Sequence, residues 1–98
     1  MRPRVPWMNE VDDAILEFLD GADVDNQPIA LKPGAVHYNL VEEFEMVDKS
    51  LSTFSRKMAR LAENGYLEKA EEGKGSPYKI TEKGRAYLAG DLDADDLE

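Results

Sequence analysis

The chain has no cysteine, which excludes disulfide scaffolds, thiol catalysis and thiolate-bound zinc. It has one histidine, His37, too few for an imidazole-based metal site. No apolar run approaches the roughly 20 residues that a membrane-crossing helix needs. The opening Met-Arg-Pro-Arg-Val-Pro-Trp lacks the apolar stretch of a secretory signal, so a soluble, cytoplasmic protein is expected. Length is scarce as well: 98 residues make one small domain, and one fold must carry the whole function. A catalytic inventory is missing. Ser50, Ser52 and Ser55 have no base partner in the pattern, and the carboxylates are scattered. Gly73-Lys74-Gly75-Ser76 lacks the spacing of a phosphate-cradling loop and joins two strand candidates. The reading is a non-enzyme without metal or cofactor.

Positive charge is also short. Twelve Lys and Arg face 21 Asp and Glu, for a formal net charge of -9, which taken globally argues against a nucleic-acid partner. The acidity is segregated, however. Residues 1–48 hold 3 basic and 11 acidic side chains, residues 49–90 hold 9 and 5, and residues 91–98 hold 5 acidic and no basic ones. Over a Debye length of roughly 8 Å in physiological salt, a local positive face acts almost independently of distant carboxylates.

The order of elements follows from periodicity. Residues 1–8 read as an N-terminal arm that docks Trp7 or Met8, residues 9–90 as the folded domain and residues 91–98 as an acidic C-terminal tail. Asn9 offers a helix cap with Asp12 three positions on. Val11, Ala14, Ile15, Phe18 and Leu19 then recur at helical spacing as far as Gly21. A polar, turn-forming stretch leads to a short strand at Ile29–Leu31. A second helix is expected from Pro33 to Glu45, with Val36, Leu40 and Phe44 along one face. After a turn at 46–49, Ser50 caps a third helix whose Leu51, Phe54, Met58 and Leu61 point to the core until Asn64-Gly65 ends it. Strand candidates at 66–70 and 78–81 flank a Gly-rich hairpin, and Thr81 caps a last helix closed by Gly90. The fold class expected is α+β: a winged helix-turn-helix, mainly α with a small antiparallel β-wing.

At about 100° per residue, Lys49, Ser52, Arg56, Arg60 and Glu63 project from the third helix opposite its apolar stripe. A helix about 10–12 Å across fits a DNA major groove about 12 Å wide. Arg56 and Arg60 suit guanine edges or phosphate, whereas Ser52 and Thr53 near the helix N-terminus suit a phosphate or a base edge. The candidate DNA contacts are therefore Lys49, Ser52, Thr53, Arg56, Lys57 and Arg60, with Lys74 at the wing tip. Lys57, on the flank of the wheel, is as readily a solvated side chain. His37 reads as a helix-surface residue, and Tyr38, Tyr66, Tyr78 and Tyr87 as core or subunit-contact aromatics.

Ser52-Thr53-Phe54-Ser55-Arg56-Lys57-Met58, Leu61-Ala62-Glu63-Asn64-Gly65-Tyr66-Leu67 and Tyr78-Lys79-Ile80-Thr81-Glu82-Lys83-Gly84-Arg85 resemble the recognition helix, helix-to-wing turn and post-wing helix of prokaryotic winged-helix repressors. Trp7-Met8, Val36-His37-Tyr38-Asn39-Leu40 and the terminal Gly84-Arg85-Ala86-Tyr87-Leu88-Ala89-Gly90-Asp91-Leu92-Asp93 are similar more narrowly to the haloarchaeal phage-repressor-like family of regulators. That resemblance implies a homodimeric transcriptional regulator binding double-stranded DNA, with the third helix in the major groove. It also implies a halophilic setting for the acidic surface, against which seven lysines are many. The stretch Val41–Lys49 is longer than the tight turn usual in such proteins. The dimer surface is expected around Trp7, the first helix and Tyr87. Two other readings compete: a winged-helix protein-interaction module whose acidic second helix and tail dock a basic partner, and a ligand-sensing regulator with its effector at the dimer interface.

Overall fold

The computed structural model describes residues 6–73 and 75–91. The chain begins its first helix, α1 (Glu10–Asp20), with a reciprocal cap. The Asn9 side chain accepts from Val11 N–H at 2.9 Å, and Asp12 reaches back to accept from Asn9 N–H at 2.9 Å. Val11, Ile15, Leu16 and Leu19 are buried along α1. The described end of the arm docks: Met8 is buried, and Trp7 packs against the core.

A short hairpin follows that the sequence reading did not contain. Strands β1 (Asp23–Val24) and β2 (Gln27–Pro28) pair antiparallel around Asp25 and Asn26, whose φ values of 52° and 66° are left-handed. Asp and Asn tolerate this conformation and favour such two-residue turns. The strand expected at Ile29–Leu31 shrinks to one residue: Leu31 exchanges two 2.9 Å backbone hydrogen bonds with Tyr78 and so attaches this segment to the wing.

The second helix differs from its expected form. It is α-helical only over α2 (Pro33–His37) and continues as a π-helical turn over Tyr38–Glu43, closed by Phe44 N–H donating to Asn39 C=O at 2.9 Å. The extra residue in that turn shifts the helical phase. Val36 and Leu40 therefore stay buried, but Phe44, expected beside them, is 59% exposed. Glu45 adopts φ 51°, and Met46 N–H returns to the Leu40 carbonyl at 2.8 Å. The long connection to the next helix is this wide turn plus residues 45–50, which carry no regular secondary structure, so the turn expected at 46–49 is not formed.

Helix α3 (Leu51–Glu63) is capped by the Ser50 hydroxyl, which accepts from Thr53 N–H at 3.2 Å. Phe54, Met58 and Leu61 are fully buried against α1 and α2. Leu51, expected with them, is 47% exposed, because it opens the helix one turn before the buried stripe begins. Gly65, at φ 86°, turns the chain out of α3 into strand β3 (Leu67–Lys69), which pairs antiparallel with β4 (Tyr78–Ile80) in the register Leu67 to Ile80. The Thr81 hydroxyl then joins three elements. It donates to the Gly65 carbonyl at 2.6 Å and accepts from Gly84 N–H at 3.1 Å, capping α4 (Glu82–Ala89) over the root of the wing.

Helix, hairpin, helix, helix, two-stranded wing, helix is the winged helix-turn-helix expected. Tyr87, read as a core or subunit-contact aromatic, is a core residue of the chain itself. Its ring lies 5.7 Å from Tyr66 in an edge-on arrangement, and its hydroxyl donates to the Asp13 carboxylate at 2.6 Å in the interior. A buried hydrogen bond to a charged group contributes about 1.5–3 kcal/mol. Tyr87→Phe is therefore expected to lower the thermal midpoint by about 10 °C, measured by circular dichroism, for a domain of this size.

Candidate nucleic-acid interface

Helix α3 turns one face inward through Phe54, Met58 and Leu61 and leaves Ser52, Arg56 and Arg60 exposed on the other. The cap geometry orders its first turn. Ser50 Oγ lies 3.1 Å from both Ser52 Oγ and Thr53 Oγ1, and Arg56 Nη2 donates to Thr53 Oγ1 at 3.4 Å. Lys49 precedes the cap, and its carbonyl lies 3.0 Å from His37 Nε2, so the single histidine ties the end of α2 to the start of α3. The His37 ring also meets the buried Phe54 edge-on at 5.2 Å.

The basic residues of the second half of the chain divide by what they meet. Arg85 lies against Asp20 at 3.1 Å and Asp23 at 3.8 Å, and Lys79 lies 3.8 Å from Glu68. Lys83 donates to the Asn64 carbonyl at 2.9 Å and stands 4.7 Å above the Tyr66 ring. Burial of that ring pushes the Tyr66 phenol above its usual range, so it stays neutral beside the lysine. Lys49, Arg56 and Arg60 have no carboxylate within ion-pair distance among the described residues. The net charge of -9 therefore coexists with a helix face whose arginines have no carboxylate partner among the described residues.

Lys57 behaves differently from its helix neighbours. Its ammonium donates to Asp12 Oδ2 at 2.9 Å, its side chain is only 19% exposed, and the Asp12 carboxylate is fully buried. Lys57 thereby bolts α3 to the capped start of α1. Lys74 lies outside the described residues. Lys49, Ser52, Thr53, Arg56, Lys57 and Arg60 are thus all on or beside one helix, but with unequal freedom to meet a ligand.

Two residues of this region were not legible as part of it. The guanidinium of Arg60 lies over the Trp7 indole at 4.7 Å, and Trp7, Asp12, Thr53, Arg56, Lys57 and Arg60 line one cleft at the base of α3. Trp7 and Arg60 are far apart in the chain, so no spacing rule links them. Asp12 is visible in the sequence as a capping residue, whereas its second bond, to Lys57, exists only in the folded state. Among the described residues no cluster of three or more His, Asp or Glu side chains is arranged to hold a metal ion, and no helix is long and apolar enough to cross a membrane.

Comparison with known proteins gives concordant matches. Residues 1–98 match the model of the winged helix-turn-helix phage repressor family. The repressor protein of Halobacterium phage phiH is 31% identical over 98 residues, covering 100% of this chain and 98% of that protein. The crystal structure of the PhiH1 repressor-like protein from Haloarcula marismortui superimposes with a TM-score of 0.72 at 32% identity, over 96% of this chain and 91% of that one.

Proposed function

The chain belongs to the winged helix-turn-helix phage repressor family, and on that premise we propose that it is a sequence-specific DNA-binding transcriptional regulator acting as a repressor. Helix α3 enters the major groove, Arg56 and Arg60 reach guanine edges or flanking phosphates, and Lys49, Ser52 and Thr53 contact the backbone at the helix start. The wing lies over the neighbouring backbone. The observation that carries this reading is the pair Arg56 and Arg60, without a carboxylate partner among the described residues, on the outer face of a helix whose inner face is packed. Lys57 contributes by holding the helix in place through Asp12.

Arg56→Ala and Arg60→Ala are each expected to lower affinity for the preferred DNA about ten-fold, since a good bidentate pair discriminates by about 1–3 kcal/mol. Electrophoretic mobility shifts on cognate and scrambled duplexes measure this. Unchanged affinity and unchanged preference in both variants would show that α3 is not the reader.

A homodimer fits the same proposal, because paired half-sites about one helical turn apart multiply the few contacts a single small domain can make. Phe44 and Met46, both exposed beside Phe18 and Leu40 in an apolar groove between α1 and the π-turn, give it a surface other than the Tyr87 region. Met46→Asp is then expected to shift the sedimenting species from dimer to monomer. The same exposed groove, rimmed by Glu17 and adjoining Glu42, Glu43 and Glu45, is what favours the second reading, docking of a basic protein partner.

A further inference from the structure

Arg60 is held from outside its own helix. Its guanidinium lies over the Trp7 indole, with Cζ 4.7 Å from the ring centroid, and the indole in turn meets the ring of Tyr66 edge-on, with centroids 6.4 Å apart. Tyr66 is fully buried and stands 5.7 Å from Tyr87, whose hydroxyl is fixed on Asp13. The indole is therefore the outermost member of a packed aromatic row, not a loose side chain on an arm. Arg56, one turn earlier, is steadied differently, through Thr53 on its own helix at 3.4 Å.

We propose that Trp7 is a positioning residue for DNA reading: it presents the Arg60 guanidinium to the groove by stacking beneath it. The inference rests on the DNA-binding reading above and adds a second element, the end of the N-terminal arm, to the interface. A guanidinium stacked on an indole keeps its N–H donors, which lie in its own plane, available at the edge. Part of the conformational freedom that an arginine loses on binding is already lost in the free protein, which raises affinity without a new contact to DNA. An arginine on a bare helix surface has no such restraint.

The test uses the full chain, a duplex from the promoter upstream of its own gene, and a scrambled duplex of equal length. Trp7→Leu keeps apolar bulk and removes the stack, whereas Trp7→Phe keeps a smaller ring. Trp7→Leu is expected to lose about three- to ten-fold in affinity for the promoter duplex, no more than Arg60→Ala, and Trp7→Phe to recover most of it. The Trp7→Leu, Arg60→Ala double variant should bind no more weakly than Arg60→Ala alone. Multiplying losses, or a Trp7→Leu affinity equal to wild type where Arg60→Ala is impaired, overturns the positioning role while leaving the DNA-binding reading intact. A wild-type protein with no preference for the promoter duplex overturns both.

Should Trp7→Leu fail to fold, the protein's single tryptophan supplies the readout. Its emission is expected to change when promoter duplex is added to wild type, and that response should vanish in Arg60→Ala at saturating duplex. An undiminished response overturns the proposal.

Discussion

Lys57→Met is expected to destabilise the domain by about 3 kcal/mol, because removing one member of a buried ion pair leaves the other charge uncompensated. The surviving partner is Asp12, whose carboxylate is fully buried. Its Oδ2 accepts from both Lys57 and the Asn9 N–H, each at 2.9 Å, while its Oδ1 has no hydrogen-bond partner among the described residues. Methionine fills the volume of the lysine stem, so the loss isolates the charge and not a cavity. For a domain of about 100 residues this corresponds to a fall in thermal midpoint of roughly 15 °C.

The accompanying Asp12→Asn substitution separates the causes. An amide carbonyl can still accept from Asn9 N–H, so the double variant Asp12→Asn, Lys57→Met keeps the cap and buries no charge. It should recover more than half of the lost stability. A Lys57→Met protein as stable as wild type would mean that Lys57 is a free surface cation after all, as available to DNA as its neighbours on α3.

The second large effect concerns Gly84, in the first half of α4. A Cβ there would lie 2.5 Å from the Tyr66 carbonyl oxygen and 2.7 Å from Ile80 Cγ1. The first obstacle is backbone at the root of the wing, pinned by Thr81, and it cannot rotate away as a side-chain end would. Gly84→Ala is expected to cost about 2–3 kcal/mol through forced separation of α4 from the β3–β4 wing. That outweighs the roughly 1 kcal/mol by which alanine ordinarily improves a helix interior. Gly34→Ala is the control, since nothing lies within 4 Å of its Cβ position; there the helix-propensity gain is unopposed, and a neutral or slightly raised thermal midpoint is expected. Calorimetry on the two variants reads the difference. Equal midpoints would contradict the close packing of α4 on the wing.

What could be read from residues alone divides along physical lines. Helices α1, α3 and α4 carry local signals: Asn9, Ser50 and Thr81 caps, apolar residues at helical spacing, and glycine after each end. The wing carries turn chemistry in Gly73, Gly75 and Pro77 between two short strands. The π-turn at Tyr38–Glu43 carries no such signal, because Val36, Leu40 and Phe44 have the same spacing in an ordinary α-helix. The phase shift that exposes Phe44 comes from the wider turn itself. The β1–β2 hairpin escaped for the opposite reason: its two-residue strands are too short to show alternation, although Asp25-Asn26 is a plausible left-handed pair.

The same division applies to the site. The outward stripe Ser52, Arg56 and Arg60 follows from helical geometry and is where the structure places it. The pairing of Lys57 with Asp12 and the placing of the Arg60 guanidinium over Trp7 are contacts between distant segments, and only the fold brings them together. Those contacts also refine the meaning of the acidic composition. A chain of net charge -9 that exposes on one helix two arginines with no carboxylate partner among the described residues should bind non-specific DNA weakly and depend on base and shape contacts for affinity.

The most direct measurement is an electrophoretic mobility series on the intact protein, comparing the promoter upstream of its own gene with a scrambled duplex of equal length from low to high salt. A retained complex on the promoter duplex at salt concentrations that abolish binding to the scrambled one is the expected result. Equal retention of the two duplexes at every salt concentration, or no retention of either, would contradict a sequence-reading role for α3.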